Sequence, residues 1–280
     1  DIVVGINENE SGDIKSLSLK NGIDLECDFV MDCSGLRRLI IGEHYKSEWT
    51  SYTKHLPAKR AMPFFIEHDD TNIQEYTSAI AMKAGWVWRI PVQGRYGCGY
   101  VFNSDYLTDE QAKAEVEEML GHKIIVPRYF NFEAGSFDGT WIKNCVAIGL
   151  SAGFTEPMEA TSIWIQVMTL QHLTTLMKRY IRDGEMVVAE FNETVRTLNH
   201  DLMLFIHLHY LTKRSDSDFW KEFKSKTVTP EYLKKIRELA IQGNLTDSAL
   251  EQIRDDTGYI PTYLVNSWIV VGEGVGFFGE

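Results

Sequence analysis

The chain has 280 residues, 44% of them hydrophobic and 24% charged, which is typical of a globular protein with one large or two small domains. Its net charge of −12 argues against nucleic acid as a partner, because duplex binding needs clustered Lys and Arg side chains. The sequence has no apolar run of the ~18–20 residues that cross a bilayer, no secretory signal and no CxxC pair among its four cysteines. We therefore predict reduced thiols, no bound metal, no membrane contact and a cytoplasmic protein.

The first half of the chain is predicted to consist mainly of strands, because β-branched and alternating apolar residues recur between turn-forming residues. The predicted strands cover residues 1–6, 13–19, 23–31, 61–68, 76–83, 85–93, 95–103 and 143–150. One helix interrupts them at 107–121, where Thr108 and Gln111 have the spacing of a capping box and Gly121 suits the C-terminal end. A short helix is also predicted after residue 35.

The second half is predicted to be helical, which places a domain boundary near residue 155. Amphipathic helices are expected over 156–181, with Pro157 in the first turn, and over 186–212 and 230–243. The tail from residue 258 is aromatic and rich in glycine, and we predict no helix there. The fold class is therefore α+β, with domains at 1–155 and 156–280.

Two short segments combine glycine with other small residues at predicted strand ends, where a backbone can approach a cofactor closely. They are DCSG at 32–35 and GLSAG at 149–153. DCSG alone also suits an ordinary strand-to-helix turn. Together, the two turns resemble the second and third flavin-contacting segments of FAD monooxygenase folds.

A third segment, GFTEPMEATSI at 153–163, runs from a strand into a long helix. The start of a helix offers unpaired backbone N–H groups that can hold an anion, and the Glu159 carboxylate is expected beside them. Acidic residues also suit any helix start, so this pattern alone leaves a purely structural role open. A fourth segment, GWVWRIP at 85–91, places Trp86 and Trp88 on one face of a strand, which equally suits an aromatic core.

In this order, the segments resemble the flavin-dependent halogenases of the tryptophan halogenase family over essentially all 280 residues. DCSG matches the family's FAD-contacting segment, GWVWRIP fits its WxWxIP signature, and EPMEATSI is similar to its EPLEST segment. The resemblance implies an FAD monooxygenase-like flavin domain followed by a mostly helical substrate-binding region. It also implies that reduced FAD, O₂ and halide yield hypohalous acid, which halogenates an indole- or phenol-like substrate.

The resemblance also implies roles for individual residues. Glu159 matches the catalytic carboxylate, and the backbone N–H groups of Thr161 and Ser162 match the halide site. Two aromatic residues of the tail, Tyr263 and Trp268, are expected to contact the substrate. The residues expected to contact FAD are Asp32, Ser34, Gly35, Trp86, Trp88, Gly149, Leu150 and Ile163. A separate flavin reductase would supply reduced FAD, and homo-oligomerisation is left open.

Several departures from the family pattern keep alternatives open. The GxGxxG turn and the catalytic lysine have no counterpart, so the chain is either part of a longer protein, which we favour, or a degenerate relative that cannot hold FAD. Ala160 replaces the serine beside the catalytic carboxylate, and the short tail argues against free tryptophan as the substrate. An aromatic hydroxylase and a non-catalytic binding protein remain alternatives. Two features argue against the hydroxylase. One is the WxWxIP signature, and the other is Leu150, at a position where hydroxylases usually carry an acidic residue.

Overall fold

The computed structural model describes residues 1–67, 73–257 and 262–279, and its mixture of helices and strands confirms the α+β class. The strands are β1 (Val3–Glu8), β2 (Ile14–Leu19), β3 (Asp24–Glu26), β4 (Val30–Asp32), β5 (Trp49–Ser51), β6 (Arg60–Glu67), β7 (Ser78–Met82), β8 (Gly85–Val92), β9 (Arg95–Phe102), β10 (Phe130–Asn131), β11 (Gly135–Phe137), β12 (Trp141–Ile142), β13 (Cys145–Ala147) and β14 (Gly153–Phe154). The helices are α1 (Asp109–Leu120), α2 (Thr161–Asp183), α3 (Glu185–Tyr210), α4 (Asp218–Lys226), α5 (Glu231–Ile241), α6 (Asp247–Thr257) and α7 (Val265–Gly274). The last residue of the predicted strand 61–68 and the first four of the tail lie outside the described residues.

The chain divides into two compact units that interleave along the sequence. Unit 1 comprises Asp1–Ser51, Gly135–Thr155 and Ala160–Leu202, and unit 2 comprises Tyr52–Ala134, Glu156–Glu159 and Met203–Glu280. The composition of the sequence instead predicts one boundary near residue 155. The difference arises because strands far apart in the chain pair with each other: β11 pairs with both β5 and β14 inside unit 1.

Unit 1 contains three small sheets, ordered β1-β2-β3, β14-β11-β5 and β12-β13-β4. β4 and β13 run parallel, so their carboxyl ends lie at the same sheet edge. The single strand predicted over 23–31 is wrong, because β3 pairs with β2 whereas β4 joins a different sheet beside β13. A 3₁₀ turn at Gly35–Arg37 and a π-helical segment at Leu39–His44 follow β4.

Unit 2 is built on a five-stranded antiparallel sheet in the order β10-β6-β9-β8-β7. Helix α1 covers one part of this sheet and buries Ala112 and Val116 among its apolar side chains. Its predicted start is confirmed: the Thr108 side chain accepts from the Gln111 backbone N–H, the Gln111 side chain accepts from the Thr108 backbone N–H, and Gly121 ends the helix at φ 74°. Pro91 lies inside β8, which continues to Val92.

A second core of unit 2 packs the C-terminal part of α3 with α4, α5 and α7. The prediction that the tail has no helix is wrong, because α7 buries Trp268 in this core. Gly272 lies inside this helix and does not mark a turn. A Cβ atom at Gly272 would lie 2.2 Å from the Phe278 ring, so packing of that ring requires glycine inside the helix.

The long helix predicted from residue 156 begins only at Thr161. Before it, Met158–Ala160 form a 3₁₀ turn in which Glu159 and Ala160 have φ values of 62° and 52°. Left-handed backbone of this kind cannot continue an α-helix, and neither residue is a glycine that would have signalled it. Among the described helices, none has both the length and the apolar character needed to cross a membrane.

Candidate functional site

The two glycine turns of unit 1 meet at the carboxyl ends of the parallel strands β4 and β13. The backbone N–H of Gly35 donates to Ser151 Oγ at 3.0 Å, which ties one turn to the other. Gly35 and Gly149 have φ values of 69° and 70°, so both positions favour glycine. A Cβ atom at Gly35 would meet nothing within 4 Å, and one at Gly149 would lie 3.2 Å from the Gln166 side chain. This edge therefore offers backbone that a planar ligand can approach.

Asp32 acts inside the first turn. Its Oδ1 accepts from the backbone N–H of Ser34 at 3.0 Å, and its Oδ2 accepts from those of Ile40 and Ile41 at 2.9 and 3.0 Å. The side chain is 2% exposed. Asp32 thus stabilises the conformation of the turn. The exposed Ser34 adds another hydrogen bond to it, because its Oγ accepts from the Leu39 backbone N–H.

The N-terminus of α2 lies in unit 1 and presents Ser162 to a small cavity of about 30 Å³. Leu150 and Gly149 line the same cavity, which has room for one or two groups of the size of water. Ala160 precedes the helix and has no side-chain oxygen to cap it. Ile163, in the first turn, is 72% exposed.

In unit 2, Trp86 and Trp88 lie on the same face of β8, with ring centroids 6.1 Å apart. Trp86 is 4% exposed and belongs to the second core, against which Trp88 also packs. The Trp88 ring covers Gly99 on β9, where a Cβ atom would lie 2.1 Å from the ring. Both tryptophans are thus fixed, Trp86 by burial and Trp88 by its contact with a glycine.

Glu156 lies in the same core and is completely buried. Trp86 Nε1 donates to its Oε2 at 2.9 Å, and the Tyr210 hydroxyl donates to the same oxygen at 2.7 Å. Burial raises the pKa of this carboxyl to about 7, although these donors and the backbone N–H of Ala58 favour the charged form. Glu156 therefore links the EPME segment to β8 and to the end of α3. The charge of its carboxyl group changes with pH near neutrality.

Glu159, the candidate catalytic carboxylate, has one direct side-chain partner among the described residues. Its Oε1 lies 3.1 Å from Nε2 of His209, and this hydrogen bond holds the pKa of Glu159 below its usual range. The Glu159 side chain is 41% exposed, whereas that of His209 is 15% exposed. The carboxylate thus remains accessible while its partner is largely shielded from water.

A cavity of about 240 Å³ adjoins His209 in unit 2. Trp86, Trp220, Tyr210 and Met158 form much of its wall, and the small side chains of Ala79 and Ala81 leave space. Its lining is mainly aromatic and apolar, as is usual for sites that bind flat aromatic ligands.

Tyr263 and Trp268, the predicted substrate contacts, both pack on Phe205. The Tyr263 ring stacks on Phe205 at 3.7 Å, and the Trp268 ring meets it edge-on at 4.9 Å. Trp268 is completely buried and Tyr263 is partly buried. A role in substrate binding remains a prediction for both residues. Tyr263 is the better placed of the two, because it is only partly buried.

His209 and Tyr210 cannot be recognised as site residues from the sequence, and Glu156 looks there only like an acidic residue near a helix start. Because His207 and His209 do not share a helix face, their spacing predicts core or surface residues. No local pattern reveals a partner 50 residues away in the chain. No cluster of three or more His, Cys, Asp or Glu side chains suited to a metal occurs within 1–67, 73–257 and 262–279.

Comparisons with known proteins match residues 1–279 to the tryptophan halogenase family. Tryptophan 7-halogenase KtzQ of Kutzneria sp. (strain 744) is 32% identical over 243 residues, which cover 84% of this chain and 45% of the relative. The chain spans about half the length of the curated relatives it matches.

Solved halogenase structures match the fold along the whole chain. The crystal structure of tryptophan 6-halogenase SttH from Streptomyces toxytricini is 29% identical with a TM-score of 0.88, covering 100% of this chain and 56% of that one. BrvH, a flavin-dependent halogenase from Brevundimonas sp. BAL3, is 30% identical with a TM-score of 0.85, covering 99% of this chain and 55% of that one. The resemblance deduced from the sequence motifs is thus confirmed, and the chain belongs to the tryptophan halogenase family.

Proposed function

We propose that the protein containing this chain is an FAD-dependent halogenase that uses reduced flavin, O₂ and halide to halogenate an indole- or phenol-like substrate. The observation that carries the proposal is Glu159, a partly exposed carboxylate on a left-handed turn in the family's EPLEST-like segment. The relatives are named as tryptophan halogenases or flavin-dependent halogenases, which supports the same chemistry here.

The paired turns of unit 1 fit a flavin. Gly35 and Gly149 would hold it through close backbone approach, Leu150 and Ile163 would add apolar contact, and Ser34 would add a hydroxyl. Asp32 would act indirectly, because its oxygens already bind the backbone of the turn. When bound in reduced form, FAD together with O₂ supplies the oxidising power that converts halide into hypohalous acid. A separate flavin reductase would provide the reduced form.

The halide would bind the backbone N–H groups of Thr161 and Ser162 at the start of α2. Amides at a helix N-terminus carry partial positive charge and favour anions. Ala160, at the N-cap of α2, has no side-chain oxygen that would compete with the halide for the amides of this turn. The cavity beside Ser162, of about 30 Å³, has room for a halide ion.

Glu159 would act on the substrate ring. Electrophilic substitution builds positive charge on an aromatic ring, and a nearby carboxylate stabilises that charge or orients the hypohalous acid. The cavity walled by Trp86, Trp220 and Tyr210 would bind a flat aromatic molecule by stacking and edge contacts. Trp86 and Trp88, held rigidly on β8, would keep the substrate away from the flavin.

The proposal is tested by the substitution Glu159→Gln in the protein that contains this chain. We expect halogenation to fall by about 10²–10³-fold, the usual scale for losing one electrostatic contact to a transition state. Oxidation of reduced FAD should stay nearly unchanged. Halide incorporation into an electron-rich indole or phenol is measured by mass spectrometry, and FAD oxidation by absorbance.

The control is Glu118→Gln, which removes a negative charge from the exposed face of α1. Product formation by Glu159→Gln within a few-fold of the unaltered protein would show that Glu159 is structural. Rapid FAD oxidation without incorporation of chloride, bromide or iodide would favour the hydroxylase alternative. Absence of both activities, and of FAD binding, would favour a non-catalytic protein.

A further inference from the structure

The His209 ring lies between two hydrogen-bond acceptors. Its Nδ1 is 3.0 Å from the backbone carbonyl oxygen of Phe205, and its Nε2 is 3.1 Å from Glu159 Oε1. A carbonyl oxygen only accepts, so Nδ1 must carry a proton. An ionised carboxylate also only accepts, so a second proton must lie between Nε2 and Oε1. The pair is therefore an imidazolium with a carboxylate, or a neutral imidazole with a carboxylic acid.

Other charged side chains near Glu159 and His209 form hydrogen bonds of their own. Glu156 also interacts with His209, and this interaction favours the charged form of Glu156. Its Oε2 already accepts from Trp86 and Tyr210. The nearby Arg214 donates to Asp216 and to the Ala81 carbonyl. Apart from His209, the described residues that line the 240 Å³ cavity are uncharged at neutral pH.

The backbone also limits how Glu159 can move. Its φ of 62° fixes the direction in which the side chain leaves the 3₁₀ turn. The hydrogen bond to His209 then selects one position of the carboxylate among those its three side-chain torsions allow. The His209 ring is itself held by the Phe205 carbonyl on one side and by edge contact with the Phe205 ring, at 5.4 Å between centroids.

We propose that His209 is a positioning residue for Glu159, which orients the carboxylate and shares one proton with it beside the aromatic cavity. This inference rests on the proposed function for its catalytic consequence, but the pairing is measurable without halogenation. His209 would fix the carboxylate where it meets the substrate ring, and it would keep the pair neutral overall.

The first experiment measures the pKa of Glu159 by ¹³C NMR on carboxyl-labelled glutamate, with its signal assigned from its loss in Glu159→Gln. In His209→Phe, we expect the pKa of Glu159 to rise, because the hydrogen bond and the opposite charge that lower it are both lost. The matched control is His44→Phe, which removes a similar pair with Glu8 at 2.9 Å in unit 1 and should leave Glu159 unchanged. A folded His209→Phe variant with an unmoved Glu159 titration would overturn the inference.

The second experiment separates orientation from charge. His209→Gln places an amide that can still donate to Glu159 but carries no charge. We expect kcat for halogenation to fall about tenfold in His209→Phe with little change in KM, and to stay within about threefold in His209→Gln. Equal loss in both variants, or no loss in either, would overturn the positioning role.

The two readouts distinguish this inference from the proposed function. If the protein halogenates nothing and the Glu159 titration still moves in His209→Phe, the pairing stands and the halogenase proposal fails. If the protein halogenates normally and neither readout responds to His209→Phe, the positioning role fails alone. Circular dichroism confirms folding of each variant.

Discussion

The buried carboxyl of Glu156 should make the stability of this protein depend on pH in a calculable way. The folded-state pKa is about 7, above the value of 4.5 for an ordinary glutamate. Protonated Glu156 therefore contributes stability that is fully present below pH 4.5 and is lost as the pH rises through about 7. Over this window the linkage relation gives a loss of about 3 kcal/mol. Glu156→Gln removes the ionisation but can still accept from Trp86 and Tyr210.

The assay is urea unfolding followed by circular dichroism at pH 4.5, 6, 7 and 8. The free energies of unfolding of Glu156→Gln and the unaltered chain should be similar at pH 4.5, and the variant should be more stable by about 3 kcal/mol at pH 8. Glu118→Gln controls for the general loss of a negative charge. A difference between Glu156→Gln and the unaltered chain that stays constant from pH 4.5 to 8 would refute the reasoning.

Two further predictions concern single backbone positions. Ser162→Ala keeps its backbone N–H and should retain halogenation, whereas Ser162→Pro removes that donor and should abolish it in a variant whose fold is verified by circular dichroism; equal activity in both would argue against a halide at these amides. Gly99→Ala forces the Trp88 ring away from β9 and should lower the free energy of unfolding by about 1–3 kcal/mol with a shifted tryptophan emission. Gly97→Ala, where a Cβ atom meets nothing within 4 Å, should change neither, and identical behaviour of the two alanine variants would contradict the packing argument.

Features that depend on nearby residues could be predicted from the sequence. The capping box of α1 joins residues three apart, and the shared face of Trp86 and Trp88 follows from the alternation of side chains along a strand. The family motifs are equally local, so short segments of the chain are enough to identify the family.

Features that depend on distant residues could not be predicted in this way. Glycine is typical of helix ends, but in α7 the Phe278 ring packs on Gly272 and the burial of Trp268 stabilises the helix. The pairing of Glu159 with His209 spans 50 residues and has no signature in sequence spacing. The interleaved units likewise follow from long-range strand pairing.

The left-handed turn at Glu159 and Ala160 limits what a mutational screen of this segment can reveal. Each non-glycine residue in this conformation costs roughly 1–2 kcal/mol, and β-branched side chains fare worst. An inactive Val or Ile variant at position 160 would therefore report a displaced backbone, and one at position 159 would not separate that effect from loss of the carboxylate. Gly or Asn at position 160 should relieve the strain and survive selection, so enrichment there would reflect conformation. Only substitutions that keep the shape of the original side chain, such as Glu159→Gln, report directly on chemistry.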